Sequence, residues 1–239
     1  MAHLDSVQNG DFAVSVQNAT INYGDFTAVN DVSVGFPRGR FTCIIGPNGC
    51  GKSTLLRAIA RVLPTDAGTI SLDNKSIDSF GRKELSRQIA LMAQDATAPE
   101  HLTVAELVTR GRFAHLGPLG QRSNDDLDKV SQAISTVELN SLADRRLNEL
   151  SGGQRQRAWL AMALAQDTPV LLLDEPTTFL DLGYQHELLN LVKNLSKDER
   201  KTIIAVVHDL QQAVRFADHI VAMQGGQLVA HGNPVDIIT

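Results

Sequence analysis

The stretch Gly46-Pro47-Asn48-Gly49-Cys50-Gly51-Lys52-Ser53-Thr54 decides the fold. It satisfies G-x-x-x-x-G-K-[ST], a pattern in which each fixed position answers a chemical need. Glycines let backbone N–H groups turn inward and approach an anion that a Cβ would keep away. Lys52 brings a compact, mobile positive charge to the β- and γ-phosphates of a nucleotide. The Ser53 hydroxyl is a hard oxygen ligand suited to Mg²⁺, which keeps several waters and bridges phosphates. Upstream lies the apolar run Phe41-Thr42-Cys43-Ile44-Ile45, of the kind a buried strand needs. Downstream, the spacing of Leu55, Leu56 and Ile59 predicts a helix over 52–61 with one apolar face. Strand, loop and helix in that order set the phosphates at a helix N-terminus, where orphan N–H groups and the dipole favour anions.

Around this loop, 239 residues are enough to bury a large core in one big domain or two intimate ones. The balance of 22 Lys+Arg against 27 Asp+Glu, a net charge of −5, argues against a nucleic-acid partner, which demands a basic face. No apolar run approaches the roughly 20 residues of a membrane span. Met1-Ala2-His3-Leu4-Asp5 has neither the basic start nor the apolar block of a signal peptide, so a soluble, cytoplasmic chain is expected. Cys43 and Cys50 have no metal-ligand spacing and read as a buried strand residue and a small loop residue, unpaired in a reducing compartment. Six of the seven histidines read as surface or packing residues.

Residues from about 13 to 45 read as strand-rich, and Ile70-Ser71-Leu72 and Ile89-Ala90-Leu91-Met92 as further short strands. From about Thr97 to Gln166 the pattern turns helical. There Leu127, Val130, Ile134 and Val137 recur at three and four behind the capping-type cluster Ser123-Asn124-Asp125-Asp126. Val170-Leu171-Leu172-Leu173 and Thr202-Ile203-Ile204-Ala205-Val206-Val207 are continuous apolar runs suited to buried parallel strands. Between them Leu188, Leu191, Val192 and Leu195 mark an amphipathic helix. The expectation is an α/β phosphate-binding core with a helical insertion.

Asp174-Glu175 closes the first of those runs, at the strand end where open α/β sheets present ligands. Asp174 fits Mg²⁺ binding, and Glu175 can polarise the water that attacks a γ-phosphate. Two adjacent acids after four apolar residues are hard to explain as structure, since unpaired buried charge is costly, although a capping role is open to them. His208 follows the second run. Alone it is more readily a satisfied turn histidine; with Asp174 and Glu175 it reads as a donor to the γ-phosphate. Gln94 brings a neutral oxygen ligand to the same edge. Ser151-Gly152-Gly153, before the helical pattern Arg157–Gln166, is a second helix N-terminus and a second anion cradle, and one nucleotide is not served by two cradles of one compact chain. A pair of chains sharing the nucleotide is suggested.

The order Tyr23, phosphate loop, Gln94, Leu150-Ser151-Gly152-Gly153-Gln154-Arg155-Gln156-Arg157, Asp174-Glu175, Asp181, His208 resembles the ATP-binding-cassette (ABC) superfamily over nearly the whole chain. The resemblance implies an α/β P-loop NTPase fold: a mostly parallel sheet core, an N-terminal antiparallel β region, and a helical subdomain at about 97–166 inserted in a single domain spanning 1–239. It implies ATP and Mg²⁺ bound between two cassettes packed head to tail. Tyr23 would stack on adenine, a contact worth about 0.5–1.5 kcal/mol beyond burial. Gly46 to Thr54 would cradle the phosphates, and Ser53, Gln94 and Asp174 would serve Mg²⁺. Ser151, Gly152, Gly153 and Gln154 would meet the γ-phosphate of the opposite chain's ATP, and Asp181 would signal between the sites.

The segments Ala93-Gln94-Asp95-Ala96-Thr97-Ala98-Pro99, Leu102-Thr103-Val104 and Arg110-Gly111-Arg112-Phe113 resemble the ATPases of importers for ferric siderophores, cobalamin and haem. Ser151 to Ala165 with Asp174 to Asp181 is most similar to the ferric catecholate branch, as in ferric enterobactin transport. The implied partners are a second cassette, two integral-membrane permease subunits, and a periplasmic or lipoprotein siderophore-binding protein, with the chain peripheral on the cytoplasmic face of the inner membrane. Haem or cobalamin import, and a soluble cassette ATPase such as an iron–sulfur assembly factor, are the alternatives. The chain ends at Thr239, where the resemblance implies some tens of further residues, so a short or trimmed C-terminal tail is expected.

Overall fold

The computed structural model describes residues 11–237 except 95, 118, 119, 179 and 199. The start of the chain, Asp95, Phe179, Ile238 and Thr239, all used in the sequence reading, lie outside the described residues. In chain order the structure runs β1 (Phe12–Tyr23), β2 (Phe26–Pro37), β3 (Phe41–Ile45), α1 (Lys52–Ile59), β4 (Ala67–Leu72), β5 (Lys75–Ser76), α2 (Arg82–Leu85) and β6 (Ile89–Met92). Helices α3 (Val104–Thr109), α4 (Asn124–Thr136) and α5 (Gly152–Ala165) follow. Then come β7 (Val170–Asp174), α6 (Leu182–Asp198), β8 (Thr202–Val206), α7 (Leu210–Phe216), β9 (His219–Gln224), β10 (Gln227–Gly232) and α8 (Pro234–Ile237). Among the described residues no helix is long and apolar enough to cross a membrane.

A six-stranded sheet has the order β10-β9-β3-β8-β7-β6, all parallel except β10, which pairs antiparallel with β9 at one edge. The continuous apolar runs have their reason here, because the sheet is covered on both faces. Phe41, Cys43, Ile45, Leu171, Leu173, Ile203 and Ala205 point into one core with α3, α4, α5 and α6. Ile44, Val170, Leu172, Ile204 and Val206 point into the other, shared with α1 and the strands β1 and β2. These two belong to a four-stranded antiparallel sheet, β2-β1-β4-β5, whose long hairpin carries register shifts along both pairings of β1. The expected α/β architecture, with a mostly parallel core and an antiparallel N-terminal region, is what the chain forms.

The helices α3, α4 and α5 pack on one another, and each opens on a capping box: Thr103 with Glu106, Ser123 with Asp126, Ser151 with Gln154. Leu127 departs from its expected place. It is 56% exposed, whereas Val130, Ile134 and Val137 are buried, so the apolar stripe of α4 starts one turn later than the spacing suggests. In the segment Arg110–Phe113, Gly111 and Arg112 are buried and have a packing explanation, while Arg110 and Phe113 are exposed. A Cβ on Gly111 would stand 2.2 Å from the carbonyl oxygen of Met162 on α5. Arg112 is buried; its Nε donates to Asp126 Oδ1 at 2.8 Å and its Nη1 to Ala165 O at 2.9 Å.

Candidate active site

Parallel strands deliver the site. Ile44 on β3 lies beside Val206 on β8, which lies beside Asp174 on β7, while Met92 on β6 lies beside Leu173. The segments leaving these C-terminal ends, namely the phosphate loop, Gln94, Glu175 and His208, therefore converge on one sheet edge. They line a cleft of about 430 Å³ with Tyr23, Phe26, Ala28, Asn48, Gly49, Gly51, Lys52, Ser53 and Thr54.

The loop is held by its own chemistry. Gly46, Gly49 and Gly51 all have positive φ, at 146°, 75° and 96°. At two of them the expected reason for glycine is incomplete: a Cβ would collide with protein backbone, Met223 O at 2.1 Å from Gly46 and Ala28 O at 2.3 Å from Gly51. At Gly49 no described residue beyond its chain neighbours comes within 4 Å of that position, so its missing side chain faces open space where a phosphate can approach. Lys52, only 4% exposed, donates from Nζ to Gly46 O and Pro47 O, both at 2.8 Å. Cys50 and Cys43 are buried free thiols, and burial pushes the Cys43 thiol well above its usual range.

On α1, Ser53 and Arg57 lie four residues apart and both address Asp174. Ser53 Oγ donates to Asp174 Oδ1 at 2.6 Å, and Arg57 Nη2 is 3.4 Å from Oδ2. Asp174 is fully buried, and burial pushes its carboxyl pKa up against the opposing pull of Ser53 and Arg57. Its Oδ2 accepts no hydrogen bond from the described residues. A buried carboxylate whose Oδ2 is met only by the Arg57 guanidinium at 3.4 Å, beside a serine hydroxyl, offers hard oxygens that fit Mg²⁺.

Glu175 takes φ 53°, a left-handed conformation rarely given to a long side chain. Its Oε2 lies 2.7 Å from His208 Nε2, accepts from Gln94 Nε2 at 2.6 Å and from Thr178 Oγ1 at 3.2 Å. The three residues predicted at this edge are thus in contact, with the carboxylate at their centre. His208 meets Glu175 directly, a contact that its expected role towards a γ-phosphate did not foresee. Such a constellation can hold a water against an acceptor phosphorus and take its proton.

At the far end of the cleft, Tyr23 and Phe26 pair across the β1–β2 turn, both exposed. Phe26 was missed, although an aromatic three residues beyond Tyr23, across Gly24-Asp25, is a signal for a two-ring stacking platform. Thr178 and Arg57 were also missed: Thr178 lies only three residues after Glu175 but a turn threonine has no signature of its own, and Arg57 meets a partner on a strand far along the chain.

The second cradle is elsewhere. Ser151, Gly152, Gly153 and Gln154 line a separate cavity of about 600 Å³ together with Glu138, Leu139, Arg157, Leu180, Asp181 and Tyr184. Among the described residues, none lines both cavities. Ser151 Oγ accepts from the Gln154 N–H at 3.3 Å and Gln154 Oε1 from the Ser151 N–H at 3.1 Å, which fixes the first turn of α5. Asp181, expected to bind with the Ser151–Gln154 cradle and signal between the sites, lines this second cavity beside that cradle, its Oδ1 accepting from the Tyr184 N–H at 3.1 Å.

Comparison with known proteins adds four matches. A family model described as ABC transporter matches residues 29–178. The chain is 46% identical over 223 residues to the ferric enterobactin transport ATP-binding protein FepC of Escherichia coli (strain K12), covering 93% of this chain and 82% of that protein. It is 41% identical over 227 residues to the iron(3+)-hydroxamate import ATP-binding protein FhuC of Bacillus subtilis (strain 168), covering 95% of this chain and 84% of that protein. Among solved structures, a dimeric post-hydrolysis state of an ATP-binding cassette bound to ADP and Pi superposes with a TM-score of 0.81 at 29% identity, over 92% of this chain and 98% of that one.

Proposed function

The chain belongs to the ABC transporter family of ATPases, and from that premise we propose that it is the ATP-hydrolysing subunit of an importer for ferric siderophores, of catecholate type. The observation that carries the hydrolytic part is the Glu175 carboxylate, gathered with His208 and Gln94 at the edge of the cleft that holds the phosphate loop. ATP would enter with its base on Tyr23 and Phe26 and its phosphates over Gly49 and Lys52. Ser53 and Asp174 would hold Mg²⁺, which spreads the charge of the phosphates when bound. Glu175 takes the proton of the attacking water, while Gln94 and His208 hold the carboxylate in place and face the reacting phosphate.

Two cavities with no shared lining support a pair of cassettes, each completing the other's site from Ser151 to Gln154. Two membrane permease subunits and a siderophore-binding protein outside the membrane would complete the importer, with this chain peripheral on the cytoplasmic face of the inner membrane. The cargo rests on the relatives named for ferric enterobactin transport and iron(3+)-hydroxamate import. Within Arg110–Phe113, which pointed the same way, Gly111 and Arg112 are buried in packing while Arg110 and Phe113 are exposed.

The test is uptake of labelled ferric catecholate and ferric hydroxamate by cells lacking this chain, restored with wild type or Glu175→Gln. Wild type restores catecholate uptake; Glu175→Gln, with hydrolysis slowed by about 10²–10⁴-fold, does not. Restoration by both variants would overturn the role of Glu175. Uptake that never depends on the chain would remove iron from the assignment.

A further inference from the structure

Three glutamines close on the turn that follows Glu175. Gln156, on α5, donates through Nε2 to Pro176 O at 2.9 Å. Gln185, on α6, donates through Nε2 to Leu180 O at 3.0 Å and to Thr177 O at 3.5 Å. Its Oε1 in turn accepts from Gln212 Nε2 at 2.6 Å. Gln212 is 5% exposed on α7. That helix is capped by Asp209, whose Oδ1 accepts from the Gln211 and Gln212 N–H groups at 2.7 and 3.1 Å. The residue before Asp209 is His208, on Glu175. The contacts form a ring: Glu175, His208, the cap of α7, Gln212, Gln185, the carbonyls of the turn, and back along the chain to Glu175.

Such a ring has work to do at this place. The turn's own backbone bonds are long, Thr178 N to Glu175 O at 3.2 Å and Leu180 N to Thr177 O at 3.3 Å. Glu175 sits at φ 53°, a conformation that persists only where its surroundings over-determine it. A primary amide both donates and accepts, so two glutamines in series pass a position from one helix to another. A buried amide that loses its partner is left unsatisfied, which makes the link hard to open.

We propose that Gln185 and Gln212 are positioning residues for ATP hydrolysis: the pair ties the turn after Glu175 to the helix that carries His208, and so keeps the carboxylate aimed. The inference rests on the hydrolase reading above. Neither glutamine lines the nucleotide cleft, so the pair acts on the chemical step and not on ATP capture.

The experiment measures steady-state ATP hydrolysis and thermal unfolding of the full chain as wild type, Glu175→Gln, Gln185→Leu, Gln212→Leu and the double leucine variant. Gln212→Asn, which keeps an amide but is one methylene too short, serves if the leucine variants fail to fold. Expected is a kcat lowered about ten- to a hundredfold in each single variant, the order of loss a small misplacement of a reacting group produces. KM for ATP stays within about twofold. The double variant is no worse than the poorer single, because both break one link. Folded variants with kcat within about twofold of wild type, losses that multiply in the double variant, or losses carried by KM would each overturn the proposal. A wild type as inactive as Glu175→Gln would instead overturn the hydrolase reading, and the inference with it.

Discussion

Gly49 and Gly51 stand two residues apart in one loop and have different reasons to be glycine. Gly51→Ala places a Cβ 2.3 Å from Ala28 O at φ 96°. We expect a loss of stability on the order of 3 kcal/mol, from left-handed strain and a backbone clash together, read by denaturant unfolding. Gly49→Ala meets no described residue beyond its chain neighbours within 4 Å, so only its φ of 75° is charged against it, about 1 kcal/mol. Its effect falls on the ligand: ATP affinity should drop about tenfold or more, seen by equilibrium binding, as the methyl takes the space a phosphate needs. Equal effects at both positions would sink this distinction. The motif announced which residues are glycine but not why. Met223 and Ala28, which set the reason at Gly46 and Gly51, are distant in sequence and carry no local sign of the approach. Lys52, Ser53, Asp174, Glu175 and His208 were legible because each sits in the phosphate loop or at the end of an apolar run, and Tyr23 through the resemblance alone; Thr178 and Arg57 lie three residues after Glu175 and four after Ser53, but they and the glutamines carry no motif that announces a partner.

Among the elements, α4 is held by more than its apolar stripe. Asp126 caps it by accepting from Ser123 N and Oγ, each at 2.8 Å, and also receives the buried Arg112. The Ser123 backbone N–H, with help from Arg112 and against burial, holds the Asp126 carboxyl down at about 2. A carboxylate depressed in the folded state adds stability above its unfolded pKa of about 4, and that stability is lost as pH falls through about 2. Unfolding followed from pH 5 to pH 2 should therefore steepen in wild type and flatten in Asp126→Asn. Arg112→Met leaves the buried carboxylate alone and should cost about 3–5 kcal/mol at neutral pH. A loss under 1 kcal/mol would mean Asp126 reaches water. The cap was legible in Ser123-Asn124-Asp125-Asp126 because capping is local. Arg112 was not, since a buried arginine looks like a surface one until its partner folds beside it, and Leu127 looked buried because periodicity alone cannot tell where packing begins.

For the molecule as a whole, two cavities without common residues predict complementation between chains. Lys52→Ala removes the lysine of the first cavity and Gly153→Glu puts an anion into the second. Each protein alone should be inactive in ATP hydrolysis. Mixed, they form hybrid pairs in which one site keeps both its lysine and an uncharged cradle, and activity should return. A mixture as inactive as its parts would mean the second cavity belongs to no composite site. At this scale the α/β architecture could be read from the continuous runs at 41–45, 170–173 and 202–207, whose length without polar breaks is explained by a sheet covered on both faces. The strand order could not, because neighbours in the sheet are set by crossovers rather than by anything within a strand.

Lys52 grips the carbonyls of Gly46 and Pro47, so the loop is a ring closed by its own cation. An incoming nucleotide then finds a cradle already shaped, and no chain entropy has to be surrendered on arrival. What it must do is trade: the ammonium gives up carbonyl oxygens as it takes phosphate oxygens. Binding heats measured by calorimetry should accordingly be small for so highly charged a ligand. Association should run close to the speed of encounter, leaving the dissociation rate to set how long each nucleotide stays.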